Sequence, residues 1–277
     1  MAAVSATDDV GRVVRLDAPA RRVLSLLPAG TEIVVALGAG DALVGRTRYD
    51  VDPALGHLPS VGGGLDPSLE AIVGLRPDLV IAFETASESR VRPRIEALGI
   101  PVFAIRTEDT TDIFRNIGSL GTLAGRSAAA DSLLGAIRSD LSAVAASVPG
   151  GRRPSVVYVA SIDPPIVAGP GTYIGEMIGI AGGRLLRVGD AAGAYWPQVS
   201  LEALVRAQPD VVVLPVGSDP GSTVARLRAE PGWRELEAVR DDRVVVVPTD
   251  LMSRPGPHIA RIAEALRDGF RRVWRGG

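Results

Sequence analysis

Residues that could carry out catalysis are sparse in this sequence. The only histidines, His57 and His258, lie far apart, and neither belongs to an H-x-x-x-H or H-E-x-x-H pattern that would hold a metal ion. The chain has no cysteine and no lysine, which excludes thiolate chemistry and a lysine-containing phosphate loop. It also lacks a G-x-S-x-G nucleophile elbow. The sequence therefore predicts a protein that is not an enzyme and has neither a metal site nor a cofactor of its own.

Two glutamates occupy matching places in a repeated segment. Residues 69–82 read LEAIVGLRPDLVIA, residues 201–214 read LEALVRAQPDVVVL, and half of the aligned positions are identical. Glu70 and Glu202 each fall in the first turn of a predicted helix, just after a serine that is a typical N-cap. The helix dipole alone would favour a carboxylate there by about 0.3–1 kcal/mol. A pair of carboxylates at equivalent positions also suits recognition by a twofold-symmetric partner.

Aromatic and acidic side chains fall in loops that follow predicted strands or precede predicted helices. Trp196, with Tyr195 beside it, lies in a loop ahead of a capped helix, whereas Phe83 ends a buried strand. Tyr49 lies in a polar loop, and Asp250 follows another strand. Such side chains either line a small-molecule site, where flat aromatic faces give large contact area, or complete the core and the turns. For Trp196 and Tyr49 we favour the site.

Size and composition narrow the class of protein further. The chain has 277 residues, of which 46% are hydrophobic. This length suits two lobes of about 100–130 residues, each with its own core. The net charge is −2 and no arginine-rich block occurs, so nucleic acid is not an expected partner. No apolar run approaches the ~20 residues that a membrane-spanning helix needs.

The order of predicted elements specifies the fold class. Each copy of the repeat predicts a short helix, a Pro-Asp turn and a buried strand. Upstream, residues 23–40 and 156–183 each predict a strand, a Gly/Pro loop and a Thr-capped helix. Downstream, residues 94–105 and 235–248 each predict a helix, a turn and a strand. This alternation predicts an α/β fold with two Rossmann-like lobes, each a parallel sheet with helices on both faces.

One long helix is predicted to join the two lobes. Apolar residues recur at helical spacing between positions 126 and 149, and no proline interrupts them before Pro149. A helix of about 22 residues is ~33 Å long. Parallel strands direct their carboxyl ends toward the cleft between the lobes, where we expect a small molecule to bind. The expected divisions are an N-terminal extension (1–20), an N-terminal lobe (21–125), a connecting backbone helix (126–149) and a C-terminal lobe (150–277).

Longer segments resemble a known family. They include SLLPAGTEIVVALGAGDALVG at 25–45, YWPQVSLEALVRAQPDVVV at 195–213 and SRPGPHIARIAEAL at 253–266. Over about residues 20–272 the chain resembles the periplasmic substrate-binding proteins of ABC importers that have a helical backbone (class III). It is most similar to the cobalamin-binding receptors. WPQVSLE at 196–202 is the most specific match to those receptors, whereas siderophore and haem receptors share the other segments.

The resemblance implies a role and a set of site residues. The role is to capture cobalamin or a related corrinoid, as transported ligand, in the interlobe cleft and to deliver it to an ABC permease dimer with its ATPase. Glu70 and Glu202 match the glutamates that dock into arginine pockets of the two membrane subunits. The expected ligand-binding residues are Tyr49, Phe83, Tyr195, Trp196, Asp250 and Arg254.

The chain departs from the family pattern at one loop. The best-known cobalamin receptors carry a tryptophan ahead of the first Leu-Glu helix and haem receptors carry a ligating tyrosine there, but this chain has Gly62–Gly64. The departure argues against haem and weakens the match to cobalamin, for which Trp196 remains on the opposite wall. We expect the three glycines to widen the pocket for a bulkier corrinoid or a ferric siderophore.

Three alternatives stay open. A ferric siderophore receptor of the same fold would need basic side chains against an anionic chelate, and Arg46, Arg48, Arg90 and Arg254 could supply them. A small hydrolase or a metal-dependent lyase would need a nucleophile–base pair or a ligand cluster. A cytosolic corrinoid- or metal-binding protein is suggested only by the lack of an apolar signal segment in this sequence. The resemblance instead implies a periplasmic or extracellular monomer that meets the membrane through its permease.

Overall fold

Parallel strands and helices alternate along the chain in the computed structural model, which describes residues 2–84, 91–189, 193–217 and 219–274. Their contacts divide the chain into two compact units. The first unit comprises Met1–Thr107 and Thr111–Ala136, and the second comprises Glu108–Thr110 and Ile137–Gly277. The unit boundary at 136/137 falls inside a long helix, Ser127–Ala146, in the region where the sequence predicts a helix over 126–149.

The first unit contains one parallel sheet and one N-terminal hairpin. Its strands are β1 (Val4–Thr7), β2 (Val13–Leu16), β3 (Val23–Ser25), β4 (Leu43–Gly45), β5 (Leu79–Phe83) and β6 (Val102–Ile105). Its helices are α1 (Pro28–Ala36), α2 (Leu69–Leu75), α3 (Val91–Glu96), most of α4 (Thr110–Leu123) and the first half of α5 (Ser127–Ala146). The sheet order is β4-β3-β5-β6, and all three pairings are parallel.

The second unit repeats this parallel order and adds an antiparallel strand. Its strands are β7 (Ser155–Ile162), β8 (Pro165–Val167), β9 (Arg184–Leu185), β10 (Val211–Val216) and β11 (Val244–Pro248). Its helices are α6 (Tyr173–Ile180), α7 (Leu201–Ala207), α8 (Pro220–Ala229), α9 (Glu237–Arg240), α10 (Thr249–Met252) and α11 (Ile259–Val273). Strands β9, β7, β10 and β11 pair in parallel, matching β4-β3-β5-β6, whereas β8 runs antiparallel to the end of β7.

The repeated helices α2 and α7 begin and end as the sequence predicts. The hydroxyl oxygens of Ser68 and Ser200 each accept a hydrogen bond from the backbone N–H three residues later, at 3.2 Å in both units. Each helix ends at a residue in the left-handed conformation, Arg76 with φ 46° and Gln208 with φ 39°. The Pro-Asp turn follows at once and starts the buried strand, so the two segments agree in local structure as well as in sequence.

The Thr-capped helix predicted upstream of each repeat forms in only one of the two places. Thr172 caps α6 and accepts a hydrogen bond from Gly175 N–H at 3.0 Å. Thr31, however, lies inside α1, where its hydroxyl donates to the Leu27 carbonyl at 3.3 Å. The prediction of a threonine cap was wrong for α1, because Pro28 has the φ angle of a first helical residue and starts the helix three residues earlier.

Residues near the N-terminus pair as a hairpin that is bound to the first unit. Strands β1 and β2 are antiparallel, and the turn between them carries Asp8 and Asp9. The Asp9 N–H donates to the Ala104 carbonyl of β6 at 3.0 Å, and the Asp9 carboxylate accepts hydrogen bonds from Arg106 N–H and the Arg115 side chain. The segment that the sequence sets apart as an extension thus contributes hydrogen bonds to the edge of the first sheet.

Each sheet has an apolar core of its own. In the first unit, aliphatic residues of β3, β5 and β6 pack with Ile72 of α2 and Ile95 of α3, both fully buried. In the second unit, the valines of β7 and β10 pack with Leu204 of α7 and Trp233, which is 2% exposed. Trp233 is therefore a packing residue. Within the described part of the chain, no helix is both long and apolar enough to cross a membrane.

Candidate ligand-binding site

The loop that carries Trp196 is bound to the β7–β8 hairpin on both sides of the tryptophan. The Tyr195 carbonyl accepts Gly169 N–H at 2.7 Å, and the Pro197 carbonyl accepts Val167 N–H at 3.0 Å. Gly169 has to be a glycine, because a Cβ there would lie 2.1 Å from the Ala194 carbonyl oxygen. The sequence thus sets Trp196 on a firmly held stretch of backbone, half-buried, beside Tyr195, which is 41% exposed.

Two buried tyrosines support the Trp196 ring. Tyr158 of β7 and Tyr173 of α6 meet the indole edge to face, with ring centroids 6.2 and 6.4 Å away. Burial raises the pKa of both phenols well above the usual range, and the charge of Glu108 adds to the shift at Tyr173. Both tyrosines are therefore neutral at physiological pH, and edge-to-face packing favours one orientation of the indole.

A carboxylate completes the surroundings of this ring. The Trp196 Nε1–H donates to Glu108 Oε2 at 2.9 Å, and the Glu108 backbone carbonyl accepts Tyr173 N–H at 2.7 Å. Residues 108–110, which follow β6 in sequence, belong by their contacts to the second unit. Because its donor is already used, the indole can offer a ligand its aromatic surface but not a hydrogen bond from nitrogen.

Asp250 and Arg254 form a pair that is connected to the same aromatic cluster. Asp250 lies in the first turn of α10, its side chain is 77% exposed, and Arg254 Nη2 approaches its Oδ1 at 3.4 Å. The Tyr173 hydroxyl donates to the backbone carbonyl of Met252 in the same helix at 2.5 Å. Within the second unit, Tyr173 therefore links the loop that carries Tyr195 and Trp196 to the segment that carries Asp250 and Arg254.

The first unit presents Tyr49 from a tight polar turn. Asp50 Oδ2 accepts hydrogen bonds from the N–H and the hydroxyl of Thr47, at 2.7 and 2.6 Å, and these two bonds close the turn. Tyr49 at its tip is 53% exposed, and the Arg48 guanidinium lies 5.2 Å from the centre of its ring. Arg48 also reaches Asp66 at 3.3 Å. Tyr49 is therefore accessible, and the positive charge of Arg48 is partly neutralised.

Neighbouring atoms lie very close to two of the three residues of the Gly62–Gly64 segment. Gly62 has φ 97°, a conformation that favours glycine. A Cβ at Gly63 would lie 2.0 Å from the Asp66 carboxylate, and one at Gly64 would lie 2.0 Å from the Leu26 carbonyl oxygen. Neighbouring atoms thus occupy the space that a side chain would take at Gly63 and Gly64, and the expected widening of a pocket stays a prediction. The next residue, Leu65, is 77% exposed.

Phe83 and its neighbours show how β5 ends. Phe83 is half-buried, and Glu84, only 5% exposed, follows it and receives a hydrogen bond from Arg92 Nε at 2.9 Å. The side chain of Phe83 is thus shared between the core and the surface, as its position at the end of a buried strand suggests. Arg90, which the sequence offers as a basic ligand contact, lies outside the described residues.

Glu70 and Glu202 are exposed at matching positions, in the first turns of α2 and α7. A hydrogen bond from the backbone N–H of Glu202 itself and one from the Ser200 hydroxyl lower the pKa of the Glu202 carboxyl. Glu202 is therefore fully ionised at neutral pH. The two carboxylates are accessible to a partner, one in each unit.

Neither histidine lies in a group of potential metal ligands. The His57 ring is 2.9 Å from the Ala54 carbonyl in a short turn, and His258 is exposed just before α11. Across the described segments, no group of three or more His, Cys, Asp or Glu side chains has a geometry that could hold a metal ion. Tyr158, Tyr173 and Glu108 were not predicted as site residues. Tyr158 and Tyr173 stood in the segment 156–183, which the sequence marks for its predicted elements, whereas Glu108 stood in no marked segment.

These features define a small-molecule-binding protein built from two α/β units. The chain belongs to the periplasmic binding protein family, whose model matches residues 23–251. Members of this family bind solutes for transport and catalyse no reaction. The chain is therefore a binding component of an ABC importer, as its sequence predicts. This role implies a small-molecule ligand and a permease–ATPase partner.

Individual relatives differ in the ligand that their names give. The chain is 32% identical over 277 residues to a cobalamin-binding protein of Halobacterium salinarum, covering 96% of this chain and 74% of that one. It is 29% identical to the ABC transporter substrate-binding lipoprotein YvrC of Bacillus subtilis, covering 96% and 85%. A solved periplasmic haem-binding protein of Pseudomonas aeruginosa matches with TM-score 0.77 and 28% identity, over 93% and 94% of the two chains. The family is thus established, and its ligands include more than one macrocycle.

Proposed function

We propose that this protein captures cobalamin or a related corrinoid outside the cytoplasm and delivers it to its ABC permease. The observation that carries the proposal is the state of Trp196, whose ring is supported by two tyrosines and whose N–H is already bonded to Glu108. Such a side chain binds through its flat surface, which suits a large planar macrocycle. The relative at 32% identity that is named as cobalamin-binding supports the same ligand.

The charges near the candidate residues argue against an anionic chelate. Arg48 is paired with Asp66 at 3.3 Å and Arg254 with Asp250 at 3.4 Å, so the positive charge of each arginine is partly neutralised. A ferric siderophore that carries several negative charges would gain little from such pairs. A corrinoid has neutral amide groups around its ring and does not need those charges.

Calorimetric titration with cyanocobalamin, haemin and a ferric hydroxamate siderophore tests the ligand. We expect saturable one-to-one binding of cyanocobalamin. Trp196→Ala should weaken that binding by about 1–3 kcal/mol, a factor of about 5–150, because an aromatic anchor is lost. Trp274→Ala is the matched control, since it removes a half-buried tryptophan that packs on Arg152, three residues before β7. Tight binding of haemin or of the siderophore in place of cyanocobalamin would refute the corrinoid assignment.

Delivery to the permease is proposed to depend on Glu70 and Glu202. Both are exposed carboxylates on short helices of the same local structure, and such charges govern orientation and association rate more than affinity. The double variant Glu70→Ala/Glu202→Ala should bind ligand normally but fail to stimulate ATP hydrolysis by the reconstituted transporter. The matched control, Asp131→Ala/Glu264→Ala, also removes one exposed acid from each unit. Full stimulation by the first double variant would exclude the docking role.

A further inference from the structure

The backbone on either side of Trp196 is held so firmly that only the side-chain torsions remain to orient its ring. The Pro197 carbonyl accepts a hydrogen bond from β8 and the Tyr195 carbonyl accepts one from Gly169, just after β8. Val199 N–H donates to the Pro165 carbonyl at 2.9 Å. Two torsions of the tryptophan side chain then decide where the indole surface lies. A group that binds the indole nitrogen therefore acts together with the two tyrosines to fix the orientation of the whole ring.

Glu108 is that group, and its own position is fixed by α6. Its backbone carbonyl accepts the N–H of Tyr173, the first residue of the helix, at 2.7 Å. Two residues later, the Thr110 hydroxyl donates to the Glu176 carboxylate in the first turn of the same helix. The segment 108–110 is thus attached to α6 at both of its ends. The Glu108 carboxylate reaches the indole from this anchored backbone.

Glu108 also differs in charge from the other groups around the ring. Tyr158 and Tyr173 are neutral because burial raises the pKa of each phenol well above the physiological range. Of the three side chains that contact the indole in these interactions, only Glu108 can carry a charge. Its carboxylate lies 2.9 Å from Nε1, at the rim of the aromatic surface that a ligand would cover. A like charge brought to this rim by a ligand would be repelled.

We infer that Glu108 is a positioning and specificity-determining residue: its carboxylate fixes the Trp196 indole, and its charge disfavours ligands with peripheral carboxylates relative to ligands with peripheral amides. The inference rests on the proposed function, because it takes Trp196 to contact the ligand. It goes beyond that function in separating two classes of macrocycle that share a flat shape. A corrinoid carries amides at its periphery, whereas a haem carries two propionates.

The positioning role is tested without any ligand, by the indole N–H signals in a ¹H–¹⁵N correlation spectrum. The chain has three tryptophans, and the signal of Trp196 is identified by its loss in Trp196→Phe. In Glu108→Ala this signal should move and its exchange with water should accelerate, because the acceptor is gone. Glu108→Gln, which keeps an acceptor oxygen, should restore slow exchange. A Trp196 signal unchanged in Glu108→Ala would overturn the positioning role.

The specificity role is tested with two ligands that differ by one charge. The probes are cyanocobalamin and its monocarboxylic acid, in which one peripheral amide is replaced by a carboxylate. We expect the wild-type protein to prefer the amide form and Glu108→Gln to reduce that preference by about five- to tenfold, because the repelling charge is removed. Glu264→Gln is the control, since it removes one exposed carboxylate from α11 of the same unit and should leave the preference unchanged.

The two tests separate failure of this inference from failure of the proposed function. If neither corrinoid binds the wild-type protein, the proposed function is wrong, and the indole spectrum still decides whether Glu108 holds Trp196. If both bind and the preference is equal in the wild type and Glu108→Gln, the ligand class stands and the specificity role of Glu108 is excluded. A reduced preference in Glu264→Gln as well would exclude a local effect of Glu108.

Discussion

Asp78 in the first unit and Asp210 in the second follow the proline of the repeated segment, and each binds the start of a neighbouring strand. Asp78 accepts the backbone N–H groups of Arg21 and Arg22, at 2.9 and 3.0 Å, just before β3. Asp210 accepts both the N–H and the hydroxyl of Ser155 at the start of β7, each at 2.8 Å. The same two-residue signal thus registers the helix–strand segment against the central strand in both units.

Both units also contain a close contact between a glycine and a backbone carbonyl, but the glycine lies on opposite members of the contacting pair of segments. In the first unit Gly64, in the loop ahead of α2, lies against the Leu26 carbonyl, which follows β3. In the second unit Gly169, which follows the β7–β8 hairpin, lies against the carbonyl of Ala194, in the loop ahead of α7. The close approach of the two chain segments is therefore shared, and the position of its glycine is not.

The candidate site residues differ more than this framework does. The first unit exposes Tyr49 at the tip of a turn that Thr47 and Asp50 close. The second unit holds Trp196 against two buried tyrosines and Glu108. A duplicated scaffold thus carries one aromatic side chain that is 53% exposed at the tip of a turn and one that is fixed by its neighbours. The fixed side chain is the one whose mutation should give the clearer effect on specificity.

The largest effect on stability is expected from filling the two glycine contacts. Gly64→Ala and Gly169→Ala should each lower the free energy of unfolding by about 3 kcal/mol, because the new Cβ meets a backbone carbonyl that cannot move aside. The Cβ would lie 2.0 and 2.1 Å from the two carbonyl oxygens. Urea unfolding followed by circular dichroism measures both losses, and equal losses would support one shared contact.

Two helical glycines provide the matched controls for this pair. Gly74 in α2 and Gly179 in α6 have no atom within 4 Å of a built Cβ. Alanine at either position should leave stability unchanged or raise it by about 0.5–1 kcal/mol, because alanine is the better helix former. If Gly64→Ala or Gly169→Ala behaved like these controls, the close approach would not constrain that unit.

Local signals in the sequence were sufficient to predict the framework. The Ser–Leu–Glu start, the Pro-Asp turn and the buried strand of each copy are read within 15 residues, and the structure confirms the α/β units with parallel sheets that they predict. The hairpin Val4–Leu16 was not foreseen, because its strands have four residues each, too few for a clear alternation.

Contacts between distant residues explain what the sequence did not reveal. Glu108 lies 88 positions from Trp196, and nothing in its local context marks it as a partner of an indole. Similarly, nothing in the local sequence shows that the Leu26 carbonyl lies beside Gly64. Resemblance to a family supplied the aromatic positions, whereas the groups that hold those aromatics depend on the packing of this particular chain.

The next largest loss of stability is expected on replacing Asp210 or Asp78, and the two losses should differ in size. Asp210→Ala should cost about 2 kcal/mol and Asp78→Ala about 1 kcal/mol, because removing either acceptor leaves donors unbonded. The cost is higher at Asp210, since Ser155 is only 6% exposed and loses an acceptor for both its N–H and its hydroxyl. Urea unfolding of both variants measures the difference. A larger loss for Asp78→Ala would contradict this ranking.

Acidic pH should reduce the contribution of Asp210. Burial alone would raise the pKa of the Asp210 carboxyl. Hydrogen bonds from Ser155 and the charges of Arg152 and Arg243 outweigh burial and lower this pKa in the folded protein. A carboxyl group with a lowered folded-state pKa stabilises the fold fully above its unfolded value of about 3.9 and loses that stabilisation as the pH falls through the folded value. The stability difference between wild type and Asp210→Asn should therefore be constant from pH 7 to 5 and shrink below pH 4. A difference that persists unchanged at pH 3 would show that the charge is not involved.

The smallest effect should also be the most symmetrical. Ser68 and Ser200 accept hydrogen bonds of the same length from the same position of their helices, so Ser68→Ala and Ser200→Ala should each cost about 1 kcal/mol. Aspartate at either position keeps an acceptor and should restore most of the loss, which separates capping from packing. Costs that differed by more than about 0.5 kcal/mol would mean that one helix relies on its cap more than the other. Since Glu70 and Glu202 stand in the turns that these serines start, equal caps would also imply that the two proposed docking carboxylates are presented with equal rigidity.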